Sequence, residues 1–170
     1  LLALFSSEAL GLLPSPRLVI ASNRVDEFRR QTGWTGGEIS LEKLIKEQKT
    51  LRLGLISGYS YGQELDSQLK TLNSNNNIYR HSGFNSQQAL LRMLLAGRVD
   101  YILEHSWIAN YILKESDDGV TFIPIADAPL YIEAFIACPK NKWGQEIVEQ
   151  LNLAIDKSRK ESRRAIEGWL

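Results

Sequence analysis

The chain has 170 residues, with 20 lysines and arginines against 20 aspartates and glutamates, so its formal net charge at pH 7 is +0. Hydrophobic residues make up 44% and charged residues 24% of the sequence, which is typical of an ordinary globular domain and excludes a disordered or low-complexity chain. The charge balance argues against a nucleic-acid partner, one cysteine and two histidines argue against a zinc site, and no apolar run approaches the roughly 18 residues that span a bilayer.

The sequence begins with Leu1, Leu2 and Ala3, without a methionine or a basic segment before them. We therefore expect a truncated or processed chain that starts inside a fold. The compartment cannot be read from a leader peptide in such a chain.

Short β-rich runs alternate with amphipathic helical patterns between Ser40 and Pro124, which predicts βαβ units around a parallel sheet. The predicted strands cover 51–56, 78–80, 99–103 and 120–124. The predicted helices start near Gly62, at a cap on Asn85 and at a cap on Ser106, with Tyr111 among the inward residues of the last one. Ser60 and Gln63 have the spacing of a capping box at the start of the first helix.

Two further pieces lie outside this lobe: a strand over 17–22, and a strand over 130–137 followed by a helix from Gly144. That helix has one apolar face, formed by Ile147, Val148, Leu151 and Ile155. A shorter apolar stripe follows at Ile166, Trp169 and Leu170. We expect residues 1–24 to be a remnant of a first lobe and its crossover, 25–125 to be a complete ligand-binding lobe, and 126–170 to return into the first lobe. If the first lobe is incomplete, strands 17–22 and 130–137 expose apolar edges, and a dimer or swapped assembly is expected to cover them.

The segment Gly58-Tyr59-Ser60-Tyr61-Gly62 lies between a predicted strand and a predicted helix. The pattern G-x-S-x-G in that context indicates the nucleophile elbow of an α/β-hydrolase, but His81 and His105 are poorly placed for a triad because Asp100 and His105 would come from one element. The plain alternative is a helix cap on Ser60 with two glycines easing a tight turn. We favour a third interpretation, in which the backbone N–H groups and the Ser60 hydroxyl bind a carboxylate or another anion.

A second loop follows the predicted strand 99–103 and carries Glu104, His105 and Trp107. The carboxyl ends of parallel strands open at one edge of a sheet, where ligands bind. Aromatic rings at that edge suit a ligand with a flat or apolar surface and a few polar handles, although each ring is open to the alternative of core packing. The predicted ligand-binding residues are Tyr59, Ser60, Tyr61, Glu104, His105 and Trp107. We predict no catalytic residue, metal or cofactor.

The stretch 91–104, with Gly97-Arg98-Val99-Asp100 before its strand, resembles a segment of the bacterial extracellular solute-binding proteins of family 3, which have the type II periplasmic binding fold. Asp100 is read there as a structural residue at the strand start. Further segments resemble the family in the same order: Phe5-Ser6, 41–45, 52–62, 131–138, and Trp143-Gly144 with Asn152 and Trp169-Leu170. The resemblance implies an α/β fold with one complete βαβ lobe and the C-terminal part of a second lobe.

The resemblance also implies a function: a two-lobed periplasmic clamp that captures a small polar solute, commonly an amino acid, for an ABC-type transporter with a membrane permease. In amino-acid binders of this kind, the loop at Ser60 grips the α-carboxylate and an aspartate takes the α-amino group. That aspartate position is His105 here, and a neutral imidazole does not balance an ammonium group, which puts an ordinary α-amino acid ligand in question. The alternative is that Glu104, one residue earlier, partly substitutes for the aspartate. The alternatives are the ligand-sensing domain of a receptor or regulator with the same fold and, with less support, a serine hydrolase using the turn at Ser60.

Overall fold

The computed structural model describes residues 3–6, 9–72, 76–114 and 119–167, with side chains up to residue 160. The strands are β1 Ala3–Phe5, β2 Gly11–Pro14, β3 Arg17–Ala21, β4 Leu53–Ile56, β5 Ile78–His81, β6 Tyr101–Glu104, β7 Val120–Ile123, β8 Tyr131–Ala134 and β9 Ala137–Pro139. The helices are α1 Val25–Thr32, α2 Leu41–Glu47, α3 Gln63–Thr71, α4 Ser86–Leu95, α5 Ser106–Leu113 and α6 Lys142–Glu167, with a short 3-10 turn at Ser22–Arg24.

The chain divides into two compact units. One, which we call the sheet unit, is Pro14–Leu130; the other, which we call the terminal unit, comprises Leu1–Leu13 and Tyr131–Leu170. The boundaries therefore fall at 13/14 and 130/131 rather than at the expected 24/25 and 125/126.

A five-stranded sheet in the order β5-β4-β6-β3-β7 forms the centre of the sheet unit. Strand β4 runs parallel to β5 and β6, as predicted, but β3 is antiparallel to both of its neighbours, so the sheet is mixed. The assignment of strand 17–22 to the other lobe is wrong, and so is its expected exposed edge. Four successive residues, 18–21, are buried because β3 has a strand on each side and helices over both faces.

Side chains from the sheet point alternately into two apolar layers. Tyr101 and Leu103 of β6 pack with buried residues of α1, α2 and α3, whereas Ile102 packs with buried residues of α4 and α5. Because both faces are covered, the sheet unit is a three-layer α/β structure. The predicted strands and helices of this region are confirmed, with shifts of one to three residues at their ends.

One predicted helix cap is confirmed and one is wrong. Asn85 is the N-cap of α4, with a left-handed backbone of φ 56° and no cap hydrogen bond from its side chain. Ser106 is the first residue of α5 rather than its cap, a position that His105 takes. Tyr111, expected to face inward, is exposed, and Ala109 is the buried residue of that helix.

The start of β6 lies at the edge of the sheet opposite the carboxyl ends of β4 and β6, and Asp100 holds it in place. The Asp100 carboxylate accepts a hydrogen bond from the Arg52 backbone N–H at 2.7 Å and forms an ion pair with Arg24 at 2.9 Å. These contacts confirm the structural interpretation of Asp100.

In the terminal unit, β1 pairs antiparallel with β9, and β2 lies beside β8. Helix α6 buries Val148 and half-buries the other three residues of the predicted apolar face, which confirms that face. The predicted stripe at Ile166, Trp169 and Leu170 lies outside the side chains that the structure describes. Within the described ranges, no helix combines the length and the apolar character needed to cross a membrane.

Gly54 of β4 is required by close packing. A methyl group built on it would lie 2.8 Å from Leu90 Cδ1, 3.1 Å from Ile102 Cγ2 and 3.2 Å from Val99 Cγ2, all buried atoms. We predict that Gly54→Ala lowers the free energy of unfolding by about 1–3 kcal/mol, because the added methyl group overpacks the interior.

Urea unfolding followed by circular dichroism measures this change. The control is Gly11→Ala in β2, where a methyl group meets nothing within 4 Å and the expected change is within about 0.5 kcal/mol. Equal effects of the two substitutions would contradict the packing explanation.

Candidate functional site

The candidate site lies at the edge of the sheet where β4, β5 and β6 have their carboxyl ends. The loop after β4 runs from Ser57 to Gly62, and the Ser57 N–H continues the ladder by donating to the His81 carbonyl oxygen at 2.7 Å. Gly58 and Gly62 have φ of 75° and 100°, so the turn requires residues without a Cβ. This turn delivers Tyr59, Ser60 and Tyr61 to the start of α3.

The carboxylate of Asp66 fills the position that sequence reasoning assigned to a ligand anion. The Ser60 hydroxyl donates to Asp66 Oδ2 at 2.6 Å, and the Tyr61 backbone N–H donates to Asp66 Oδ1 at 2.9 Å. The capping box with Gln63 is wrong, because the N-cap is Gly62 and its N–H donates to the Ser60 hydroxyl at 3.4 Å. The groups expected to grip a carboxylate are thus already bound to one from the chain itself.

The two tyrosines of the loop have different environments. Tyr61 is 1% exposed, and its hydroxyl accepts a hydrogen bond from the Ile56 backbone N–H at 2.8 Å, so the structure gives it a packing role. Burial raises the pKa of Tyr61 far above its ordinary value. Tyr59 is half-buried and packs edge-on against Tyr61 with 5.2 Å between ring centroids. Burial, and then the Glu104 charge, raise the pKa of Tyr59, while a hydrogen bond with Gln87 opposes the shift.

Glu104 and His105 are both buried at the end of β6, with exposed fractions of 2% and 5%. The His105 backbone N–H donates to Glu104 Oε1 at 2.8 Å, but burial dominates and raises the pKa of Glu104 to about 7. His105 Nδ1 lies 2.9 Å from the Pro14 carbonyl oxygen, so Nδ1 carries the proton and Nε2 is the acceptor of the neutral ring. Burial lowers the pKa of His105, which favours this neutral form.

Trp107 is the exposed member of the predicted set, with 54% of its surface accessible. Its ring lies 6.0 Å from the His105 ring, centroid to centroid. Trp107 lines a groove with residues of α4 and α5, whereas Tyr59, Ser60 and Tyr61 line a separate depression of about 320 Å³ that also includes Asp66. The six predicted residues therefore share one sheet edge but do not line one cavity.

Two residues that contact this set were missed by sequence reasoning. The sequence indicates Asp66 only as an acid in the middle of a helix. Its position one helical turn after Gly62 is the feature that could have identified it, because a carboxylate there reaches backbone N–H groups at the helix start. Gln87, in the first turn of α4, forms a hydrogen bond with Tyr59 in the loop after β4. The two residues are far apart in the sequence, so a local sequence pattern does not indicate this pair.

The geometry weighs against a serine nucleophile. A hydroxyl has one proton, and that of Ser60 is donated to Asp66. His105 is bonded to Pro14, and His81 Nδ1 lies 3.5 Å from the Tyr79 hydroxyl. The turn at Ser60 therefore lacks the hydroxyl-to-imidazole hydrogen bond that activates a nucleophile.

No family model and no curated protein matches the chain. Solved structures match it in fold. The arginine-binding protein of T. maritima in its holo form has a TM-score of 0.60 and 14% identity, covering 98% of this chain and 62% of that one. The arginine-bound amino acid ABC transporter substrate-binding protein AbpA of Streptococcus pneumoniae has a TM-score of 0.58 and 14% identity, covering 95% and 57%. The periplasmic sensor of the Borrelia burgdorferi hybrid histidine kinase Hk1 has a TM-score of 0.52 and 18% identity, covering 90% and 59%.

These similarities confirm the fold that the sequence resemblance predicted. The chain has the α/β type II periplasmic binding fold of the amino-acid-binding proteins that it matches. It spans between 57% and 62% of the length of the three structures described, so it corresponds to a part of them.

We predict that Asp66→Ala lowers the free energy of unfolding by about 1–2 kcal/mol, because it leaves the Tyr61 N–H and the Ser60 hydroxyl without their acceptor. Glu64→Ala is the control, since it removes an exposed acid from the same helical turn. Urea unfolding of both variants separates the specific bonds from the general effect of negative charge near a helix N-terminus. Equal losses in the two variants would contradict the proposed role of Asp66.

The Glu104 carboxyl predicts a pH effect. Its pKa in the folded chain is about 7, above the ordinary value of 4.5, so folding favours the protonated form. This contribution to stability is complete below about pH 4.5 and is lost as the pH rises to about 7. Glu104→Gln keeps an oxygen acceptor for the His105 N–H and removes the titration.

We therefore expect the unfolding free energy of Glu104→Gln to rise relative to the native chain between pH 4.5 and pH 7.5, by on the order of 3 kcal/mol. Urea titrations at a series of pH values measure the difference, in which the opposing titration of His105 is common to both chains. A difference that does not change with pH would show that Glu104 is ionised normally.

Proposed function

We propose that this chain belongs to a periplasmic solute-binding protein that captures a small polar solute for an ABC-type transporter. The proposal is supported by one observation: in a type II periplasmic binding fold, polar and aromatic side chains lie together at the carboxyl edge of the parallel strands. The matched proteins of that fold are described as bound to arginine or as amino-acid-binding. Binding without chemical conversion is the activity that this arrangement supports.

The solute contacts proposed here follow from which groups have unused hydrogen-bonding capacity. The neutral His105 ring offers Nε2 as an acceptor, and the Tyr59 hydroxyl, which hydrogen-bonds with Gln87, has capacity for a further hydrogen bond. Asp66 occupies the anion position of the loop, so a solute carboxylate gains little there. We infer a solute that presents a neutral or cationic group to this edge, in agreement with the replacement of the family's aspartate by His105.

Ligand sensing is the second candidate function. The observation that favours it is the similarity to the periplasmic sensor of a hybrid histidine kinase. Both functions use the same solute-binding event and differ in the partner: a membrane permease for transport, or a signalling domain for sensing. Periplasmic location, the permease and the assembly of two copies remain predictions.

We predict that a thermal-shift screen of the full chain against amino acids, amines, small carboxylates, saccharides and aromatic metabolites finds a saturable stabilisation by one solute class. A ligand at 100 times its Kd adds about 2.7 kcal/mol to the unfolding free energy, which is readily detected. Tyr59→Phe removes one hydroxyl at the edge and is expected to weaken that solute's affinity by about three- to tenfold.

Tyr131→Phe is the matched control, because it removes the hydroxyl of an exposed tyrosine in β8 of the terminal unit. Its affinity for the solute is expected to equal that of the native chain. Stabilisation by no solute, combined with labelling of Ser60 by a serine-directed phosphonate, would overturn the proposal and favour a hydrolase.

A further inference from the structure

A groove between the first turn of α4 and the exposed face of α5 opens in the sheet unit, with a volume of about 800 Å³. One wall is formed by α5 residues that include Trp107 and Tyr111, and the other by the start of α4. The groove is large enough for a ligand of two or more rings. Only Trp107 of the six predicted site residues lines it.

Two aromatic side chains form the α5 wall. Trp107 and Tyr111 are 54% and 79% exposed, although the apolar pattern of the helix predicted that Tyr111 points inward. Residues four apart on a helix lie on one face, about 6 Å apart along its axis. The rings therefore provide two successive stacking surfaces along one wall, rather than two plates that clamp a single flat ring from opposite sides.

Carboxamides dominate the facing wall, which comprises Asn85, Gln87 and Gln88. Each carboxamide offers two N–H donors and an oxygen acceptor without a net charge. Lys114 is the charged residue among the described residues that line the groove, and no carboxylate is among them. A wall of uncharged donors and acceptors opposite exposed rings is complementary to a ligand rich in hydroxyl groups with apolar C–H faces.

The groove is connected to the proposed solute edge at two points. Gln87 lines the groove and also hydrogen-bonds to Tyr59 of the loop after β4. Trp107 lines the groove and stacks obliquely near His105. The groove therefore adjoins the carboxyl edge of β4 and β6 through Gln87 and Trp107.

We propose that this groove binds a neutral saccharide of at least two sugar units, with successive sugar faces on Trp107 and Tyr111 and hydroxyl groups on the carboxamides of α4. The inference deepens the proposed function, on which it rests, by naming the solute class. It disfavours a free amino acid as the preferred solute, because the described residues that line the groove include no carboxylate for an ammonium group and the anion position at Ser60 is filled by Asp66.

The test is a titration of the full chain with maltose, cellobiose and lactose, alongside arginine and glutamine, followed by tryptophan fluorescence and by thermal shift. We expect saturable binding of at least one disaccharide and about tenfold weaker binding in Trp107→Ala. Gln87→Ala is expected to weaken the same binding. This second variant removes a polar group at the start of α4 and leaves both aromatic rings in place, so it tests the groove independently of Trp107.

Trp143→Ala is the matched control, since Trp143 is as exposed as Trp107 but lies in the terminal unit. Its disaccharide affinity is expected to equal that of the native chain. Saturable binding of an amino acid but of no disaccharide would overturn this inference and leave the proposed function standing. Binding of neither class would count against both, and disaccharide binding that Trp107→Ala and Gln87→Ala leave unchanged would overturn the groove assignment alone.

Discussion

The sheet of the 14–130 unit is covered by helices on both faces, and the rest of the structure depends on this constraint. Strands β4 and β6 consist entirely of buried residues, so polar groups have no place along their length except where they are internally satisfied. Polar side chains therefore collect where the strands end. The turn after Ile56 and the pair Glu104 and His105 occupy that position, which is why the candidate site lies at the carboxyl edge of the sheet.

The same constraint determines the electrostatics of the edge. Glu104 is the last residue of β6 and still lies within the buried part of the strand, so its carboxyl stays neutral up to about pH 7, well above the range of an ordinary glutamate. His105 is neutral for the same reason and is fixed by the Pro14 carbonyl oxygen. At the N-terminus of α3, the Asp66 carboxylate accepts a hydrogen bond from the Tyr61 N–H and so offsets the partial positive charge of the helix end. With Glu104 and His105 buried and the Asp66 carboxylate already hydrogen-bonded, these residues suit hydrogen-bonding solutes better than ionic ones.

Much of this fold could be predicted from the sequence, because local patterns specify strands and helices directly. The runs before Gly58 and after Asp100 are apolar enough to predict buried strands, and Gly97, just after the end of α4, has the expected left-handed conformation. The place of β3 could not be predicted. A buried apolar strand fits the centre of any sheet, and pairing between residues 83 or more positions apart leaves no local signal.

The candidate site was predicted in outline and differs in detail for a similar reason. Ser60 and His105 lie at the predicted edge, since turn residues after strands are recognisable. Tyr61 is in the core because its hydroxyl finds the Ile56 N–H, and Tyr111 faces solvent because the smaller Ala109 takes the inward position. Both outcomes depend on which neighbour each side chain meets in three dimensions.

We propose that the carboxyl edge of the parallel strands and the adjoining α4–α5 groove bind the solute. Backbone amide NMR spectra of the full chain, recorded with and without a saturating solute, locate the binding site residue by residue. We expect chemical-shift changes concentrated in residues 57–62, 85–88 and 104–111. Changes confined to the opposite edge of the sheet, around Gly97 and Gly119, or to the terminal unit would contradict it.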